Sequence, residues 1–165
     1  MPTPTDIIWM QHAITLAKKA ASENEVPVGA VLVRDGVVIG EGWNRPIGCC
    51  DPTAHAEIQA LRNSASNEKN YRLPNTTLYV TIEPCTMCLG ALIHSRVSRV
   101  VFGALEPKAG VLQSNPVLLE AEFFNHIFTW EGGVCEVECA EIMRGFFSRR
   151  RDYKKALKKC LDDGE

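Results

Sequence analysis

The chain has 165 residues, of which 45% are hydrophobic and 23% charged, and a formal net charge of −2. These are ordinary values for one soluble domain with its own core, so residues 1–165 read as a single domain. No apolar run reaches membrane-spanning length, no basic-then-apolar leader opens the chain, and seven cysteines are an odd number for a secreted disulfide framework. The expectation is a cytoplasmic protein with reduced thiols and no membrane contact.

Apolar residues Ile7, Met10, Ile14, Ala17 and Ala21 recur at helical spacing and predict a helix from about Asp6 to Ser22, with Thr5 or Asp6 as its cap. Val26 to Val33 reads as a buried strand, Asp35-Gly36 as a hairpin turn, and Val37 to Gly40 as the returning strand. Gly40, Gly42, Pro46 and Gly48 mark a loop carrying Trp43 and Asn44. A helix is expected from about Ala54 to Asn63, then a polar loop from Ser64 to Leu73 and a β-prone strand over Thr76 to Ile82. A helix starts near Cys85, with Pro84 at its opening, and a strand spans Val97 to Gly103. Beyond Gly110 the pattern predicts a short helix over Pro116 to Phe124, a short strand over Ile127 to Thr129, and a long helix from about Val134 towards Lys159. This alternation describes an α/β sheet covered by helices on both faces.

Two clusters lie at strand-to-helix junctions, where sites gather in such sheets. His55-Ala56-Glu57 spells H-x-E, and Pro84-Cys85-Thr86-Met87-Cys88 spells P-C-x-x-C. His55, Cys85 and Cys88 supply an imidazole and two thiolates, the three protein ligands of a zinc that keeps its fourth position for water. Glu57 is the carboxylate left over, placed to act on that water as base and then as acid. His55 and Glu57, two positions apart, share a site only if their helix meets the metal end-on. A redox reading of Cys85 and Cys88 leaves H-x-E unexplained. Cys135 and Cys139 read as core thiols, Cys49 and Cys50 as bystanders in a loop, and His12 as a surface residue.

Charge is unevenly spread. Arg149, Arg150, Arg151, Lys154, Lys155, Lys158 and Lys159 crowd the C-terminal segment, with Asp152 the one acid among them. The pattern fits a solvated helix end or a basic arm for a polyanion. Phe146-Phe147 just before it are core by spacing, but beside arginines they could also stack on nucleobases.

The whole chain resembles the bacterial tRNA-specific adenosine deaminases, members of the cytidine/deoxycytidylate deaminase superfamily. The resemblance runs through Glu25 to Val31, Gly42 to Pro46, Asp51 to Glu57, Thr77 to Thr81, Glu83 to Cys88, Ile93 to Arg96, Val100 to Ala104, Asn125-His126 and Phe146 to Arg150. The zinc motif is shared with cytidine, guanine and nucleotide deaminases; the last two stretches favour the tRNA branch. The resemblance implies a cytidine-deaminase-like three-layer α/β/α fold with a five-stranded mixed sheet. It implies a homodimer with one zinc per subunit and, as substrate, the wobble adenosine in the anticodon stem-loop of an arginine tRNA. It also implies that Asn44 contacts the base, while Lys108, Asn125, Phe146 and Phe147 shape or grip the loop, with Arg149 and Arg150 beside them. Ala56 and Cys85 offer N–H groups near the reacting carbon. The family's usual Asp is replaced here by Glu106, followed by Pro107 and Lys108. A deaminase of a free base, nucleoside or nucleotide would need no basic tail, and a zinc module that only binds RNA would need no Glu57.

Overall fold

The computed structural model describes residues 2–164. Five strands, β1 (Gly29–Arg34), β2 (Val37–Trp43), β3 (Thr77–Ile82), β4 (Arg99–Ala104) and β5 (Thr129–Glu131), form one mixed sheet in the order β2-β1-β3-β4-β5. β1 runs antiparallel to both β2 and β3, while β3–β4 and β4–β5 are parallel. The helices are α1 (Pro4–Ser22), α2 (Ala56–Glu68), α3 (Thr86–His94) and α4 (Glu136–Asp162), with a 3-10 turn at Pro116–Glu120.

Strand periodicity divides the core into two layers. Ala30 and Leu32 of β1 face α2 and α3, in a cluster with Ala60, Leu61, Leu89, Leu92 and Phe102. Val31 and Val33, one residue out of phase, face Met10, Ala13 and Ile14 of α1 and Cys139 of α4. The sheet is therefore sandwiched between helices, the three-layer arrangement expected. Among the described residues no helix is long and apolar enough to cross a membrane.

Several boundaries differ from the sequence reading. α1 is capped by Thr3, whose hydroxyl accepts from Asp6 N while Asp6 accepts from Thr3 N; Asp6 is thus the third helical residue of a capping box and not the cap. β2 continues past Gly40, where the strand was expected to end, through Gly42 and Trp43, read above as loop. Both glycines lie under α2: a Cβ at Gly42 would collide with Ala56 O and Ala60 N, and one at Gly40 with Ser64. They are there for close helix–strand packing, not for turn chemistry. α2 extends to Glu68 through a segment expected to be loop, and the helix expected over Pro116 to Phe124 is a single 3-10 turn ending at Glu120.

Candidate active site

Two helix N-termini converge at the carboxyl end of the central strands. His55 is the N-cap of α2, extended at φ −70° and ψ 154°, and its side chain makes no capping bond. Glu57 follows in the first turn and is 3% exposed. Cys85 is the N-cap of α3, also extended, and Cys88 is its third helical residue. Pro84 therefore sits outside the helix and not at its first position. Because His55 is a cap, its side chain escapes the helical 100° rotation that would turn it away from Glu57. The end-on approach needed for both residues to share a site is the geometry found.

His55 Nδ1 lies 3.6 Å from Cys85 Sγ and 3.6 Å from Cys88 Sγ. The three donor atoms all fall within 4.8 Å of one another. Zinc bonds of about 2.3 Å to sulfur and 2.05 Å to nitrogen, opened to a tetrahedral angle, put S and N about 3.6 Å apart. The donor set therefore fits zinc without rearrangement. Hydrogen bonding from Cys88 holds Cys85 down to about 4, with His55 assisting, and the same bond pushes Cys88 far up. The Cys85 bond raises His55 as well. A divalent cation binds thiolates and so displaces thiol protons. Burial raises the Glu57 carboxyl above its ordinary value against a counteracting hydrogen bond with Cys88.

A cavity of about 340 Å³ opens over these residues. Of the residues singled out from sequence, Asn44, His55, Glu57, Cys85, Glu106 and Phe147 line it. Asn44 Oδ1 accepts from Ala56 N at 2.8 Å, so that amide oxygen is committed and the amide NH2 is what Asn44 has for a ligand. The same bond occupies the Ala56 N–H, which is therefore not the open donor the sequence reading made it. Phe147, 37% exposed, forms part of the wall. Phe146, 8% exposed, packs behind it edge-on at 5.4 Å, with Arg150 over its ring at 5.7 Å.

Lys108 is exposed on the loop that follows β4 and Asn125 lies outside the cavity lining, its Oδ1 3.4 Å from Arg96 Nη1. Arg149 and Arg150 are exposed, as is the whole of α4 beyond Phe146. Sequence reasoning missed Val26, Val28, Pro46, Ile82, Ala109 and Met143, the apolar part of the lining. It also missed two acids: Glu25 accepts from Ile47 N and Gly48 N and ties down the loop after Asn44, and Glu83 does the same for the loop after β4. No local signal marks these acids, since their partners are more than twenty residues away. Among the remaining candidates, Cys139 is buried and Cys49 and Cys50 are exposed, and His12 bonds Glu41 at 2.9 Å.

Comparisons with known proteins place this geometry. The profile described as "Cytidine and deoxycytidylate deaminase zinc-binding region" matches residues 4–104. A protein of Haemophilus influenzae named tRNA-specific adenosine deaminase is 52% identical over 158 residues, 93% of this chain and 91% of its own length. A solved structure from a study of A-to-I editing by tRNA:A34 deaminases at the wobble position of transfer RNA superposes with a TM-score of 0.79 at 41% identity, over 82% of this chain and 98% of the other. A guanine deaminase of Bacillus subtilis superposes less well, with a TM-score of 0.58 at 34% identity over 68% of each chain.

Proposed function

Because the chain belongs to the cytidine and deoxycytidylate deaminase family, and within it to the tRNA-specific adenosine deaminases, we propose that it converts the wobble adenosine of a tRNA anticodon loop to inosine. The substrate is a tRNA of the arginine type, and the reaction takes place in the cytoplasm. One observation carries the reading: the cavity that holds Glu57 beside the His55, Cys85 and Cys88 donors is walled by Phe147, the residue that begins the exposed basic half of α4. A free base has no phosphates for that helix to meet.

His55, Cys85 and Cys88 would hold the zinc, one per subunit. When bound, zinc supplies a Lewis acid that brings the pKa of a water towards neutrality. Glu57 takes the proton of the attacking water as its oxygen adds to C6 of adenine. It delivers that proton to ring N1, then takes the remaining proton from the C6 hydroxyl of the adduct and passes it to the departing amine, so that the C–N bond breaks, ammonia leaves and a carbonyl remains. Its burial suits it to this shuttle, because a carboxyl raised above its ordinary value gives up and regains a proton with less loss at each step. Asn44, oriented by Ala56 N–H, offers its NH2 to an acceptor on the base edge. Val26, Val28 and Ile82 form apolar walls that keep bulk water from the ring. Phe147 presents a face for stacking, and Phe146 and Arg150 back it. Lys108, Asn125, Arg149 and Arg150 contribute to holding the loop, and a second copy of the chain completes the RNA-binding surface.

The test is an incubation of purified protein with an anticodon stem-loop carrying a wobble adenosine, run beside free guanine, cytidine and adenosine. Inosine in the stem-loop with inert small molecules is the expected result. Turnover of a free base or nucleoside with an unchanged stem-loop would overturn the reading.

A further inference from the structure

We propose that Glu83 is a positioning residue for RNA recognition: its buried carboxylate is the internal template on which the rim of the substrate cavity is folded. The inference rests on the substrate reading just given. The rim is the segment 105–115, which runs from β4 to the 3-10 turn without a strand or helix of its own. It brings Glu106 and Ala109 to the cavity and leaves Lys108 exposed beside them. A segment of that length with no regular hydrogen bonding is ordinarily mobile.

Here Glu83 supplies the missing acceptors. One carboxylate oxygen accepts from Leu112 N at 3.0 Å, Gln113 N at 2.8 Å and Ser114 N at 2.9 Å. The other accepts from Glu106 N at 3.1 Å and from the Ser114 hydroxyl. Five donors from both ends of the segment thus converge on one side chain that is 2% exposed. Gly110 lets the backbone close over it, since a Cβ there would collide with the Glu83 carboxyl. From the other side, Asn115 Nδ2 donates to Pro107 O at 3.0 Å and Gly110 O at 2.9 Å. Pro107, which has no N–H, takes part only through its carbonyl, so the proline costs the rim no hydrogen bond.

The placement couples rim to metal site. Glu83 is two residues before Cys85, and Pro84 O accepts from Val111 N at 3.0 Å. The short connection from β3 to α3 therefore carries a zinc ligand at one end and the anchor of the rim at the other. With every good acceptor direction of its carboxylate occupied, Glu83 has nothing left for a metal or a substrate atom. Its action on the reaction is through the loop, which sets where Glu106 and Lys108 stand when RNA arrives.

The experiment replaces the anchor from both sides, in Glu83→Gln and in Asn115→Ala, and measures zinc content, steady-state kinetics on the stem-loop, and amide hydrogen exchange in 105–115. Gln keeps the shape but turns an NH2 towards backbone donors. The expected result for Glu83→Gln is faster exchange confined to the rim and zinc retained, with KM raised about tenfold and kcat within about threefold. Asn115→Ala should show the same split at smaller size, and Glu83→Asp should recover part of the loss. Asn115→Ala decides the matter alone if Glu83→Gln fails to fold. Unchanged KM beside accelerated rim exchange would overturn the inference, as would loss of kcat and zinc in proportion with KM. If the parent protein itself leaves the stem-loop untouched, the substrate reading falls first, and this inference with it.

Discussion

At the residue scale the proposed chemistry rests on Glu57, and its environment makes a sharp expectation possible. Glu57→Gln preserves the shape of a buried side chain that is not a zinc ligand, so zinc content and stem-loop affinity should persist. Turnover should fall by at least about 10²–10⁴-fold, the usual worth of one general acid–base group. Single-turnover assays within about tenfold of the parent would remove Glu57 from its role. Asp6 makes a different prediction. It accepts from Arg99 Nη1 at 2.8 Å and Nη2 at 3.0 Å, from Tyr79 OH at 2.9 Å and from Thr3 N. The Arg99 guanidinium, ahead of the other partners, holds its carboxyl well below the usual carboxylate range. A carboxyl depressed in the folded state stabilises the fold above its unfolded value of about 4, and that contribution is lost as pH falls further. Denaturant midpoints should therefore drop between about pH 4 and pH 2, and Asp6→Asn should flatten that limb while costing about 2–3 kcal/mol at pH 7. Parallel acid limbs for parent and variant would contradict it. The juxtaposition of His55, Glu57, Cys85 and Cys88 was legible because it follows from spacings of two and three residues at two helix starts. Glu25, Glu83 and the Asp6–Arg99 pair were not, because an acid's partner 22 to 93 residues away leaves no trace near it.

Elements were read well where their periodicity was driven by one buried face. The strands β3 and β4 were placed to within two residues, and α1 was missed only at its cap. Gly40 and Gly42 misled the reading of β2. In isolation glycine signals a turn, and only the packing of α2 against the sheet shows that the missing side chains are the point. The long basic helix was anticipated, and so was a solvated end to it, but not how much of it is exposed. Beyond Phe146 every described residue of α4 is exposed, so half of the helix stands clear of the body and is held by its own backbone bonds. That makes it a clean target. Replacing Arg149, Arg150 and Arg151 with Ala should leave zinc and unfolding untouched, while stem-loop affinity falls and its salt dependence flattens. With consecutive side chains turned about 100° apart, one or two phosphate contacts should be lost, each lowering the log–log slope by about 0.7. Equal slopes across a salt titration would mean that this half of α4 is only a solvated helix end.

At the scale of the molecule, the fold brings two helix N-termini, a hydrogen-bonded rim and the root of a basic helix to one mouth. In the function proposed, the parts nearest the base come from the body of the domain, and those along α4 are the ones offered to phosphates. Exposed apolar side chains such as Ile47, Val117 and Phe123 lie on the surface of a single chain. Native mass spectrometry should find twice 18.3 kDa with two zinc ions, and a metal-free or strictly monomeric species with full activity would contradict the assembly proposed here. Function was legible above all from the paired motifs and the final helix together, since the first is common to deaminases of small molecules and the second has no use among them. The most direct measurement follows from that pairing. An anticodon stem-loop with adenosine at the wobble position and at a second loop position is treated with the protein, cleaved, and read by mass spectrometry position by position. The account predicts that amine is exchanged for oxygen at the wobble adenosine alone, and that Glu57→Gln abolishes the exchange. Equal conversion at both adenosines, or no conversion while free guanine or cytidine is consumed, would contradict it.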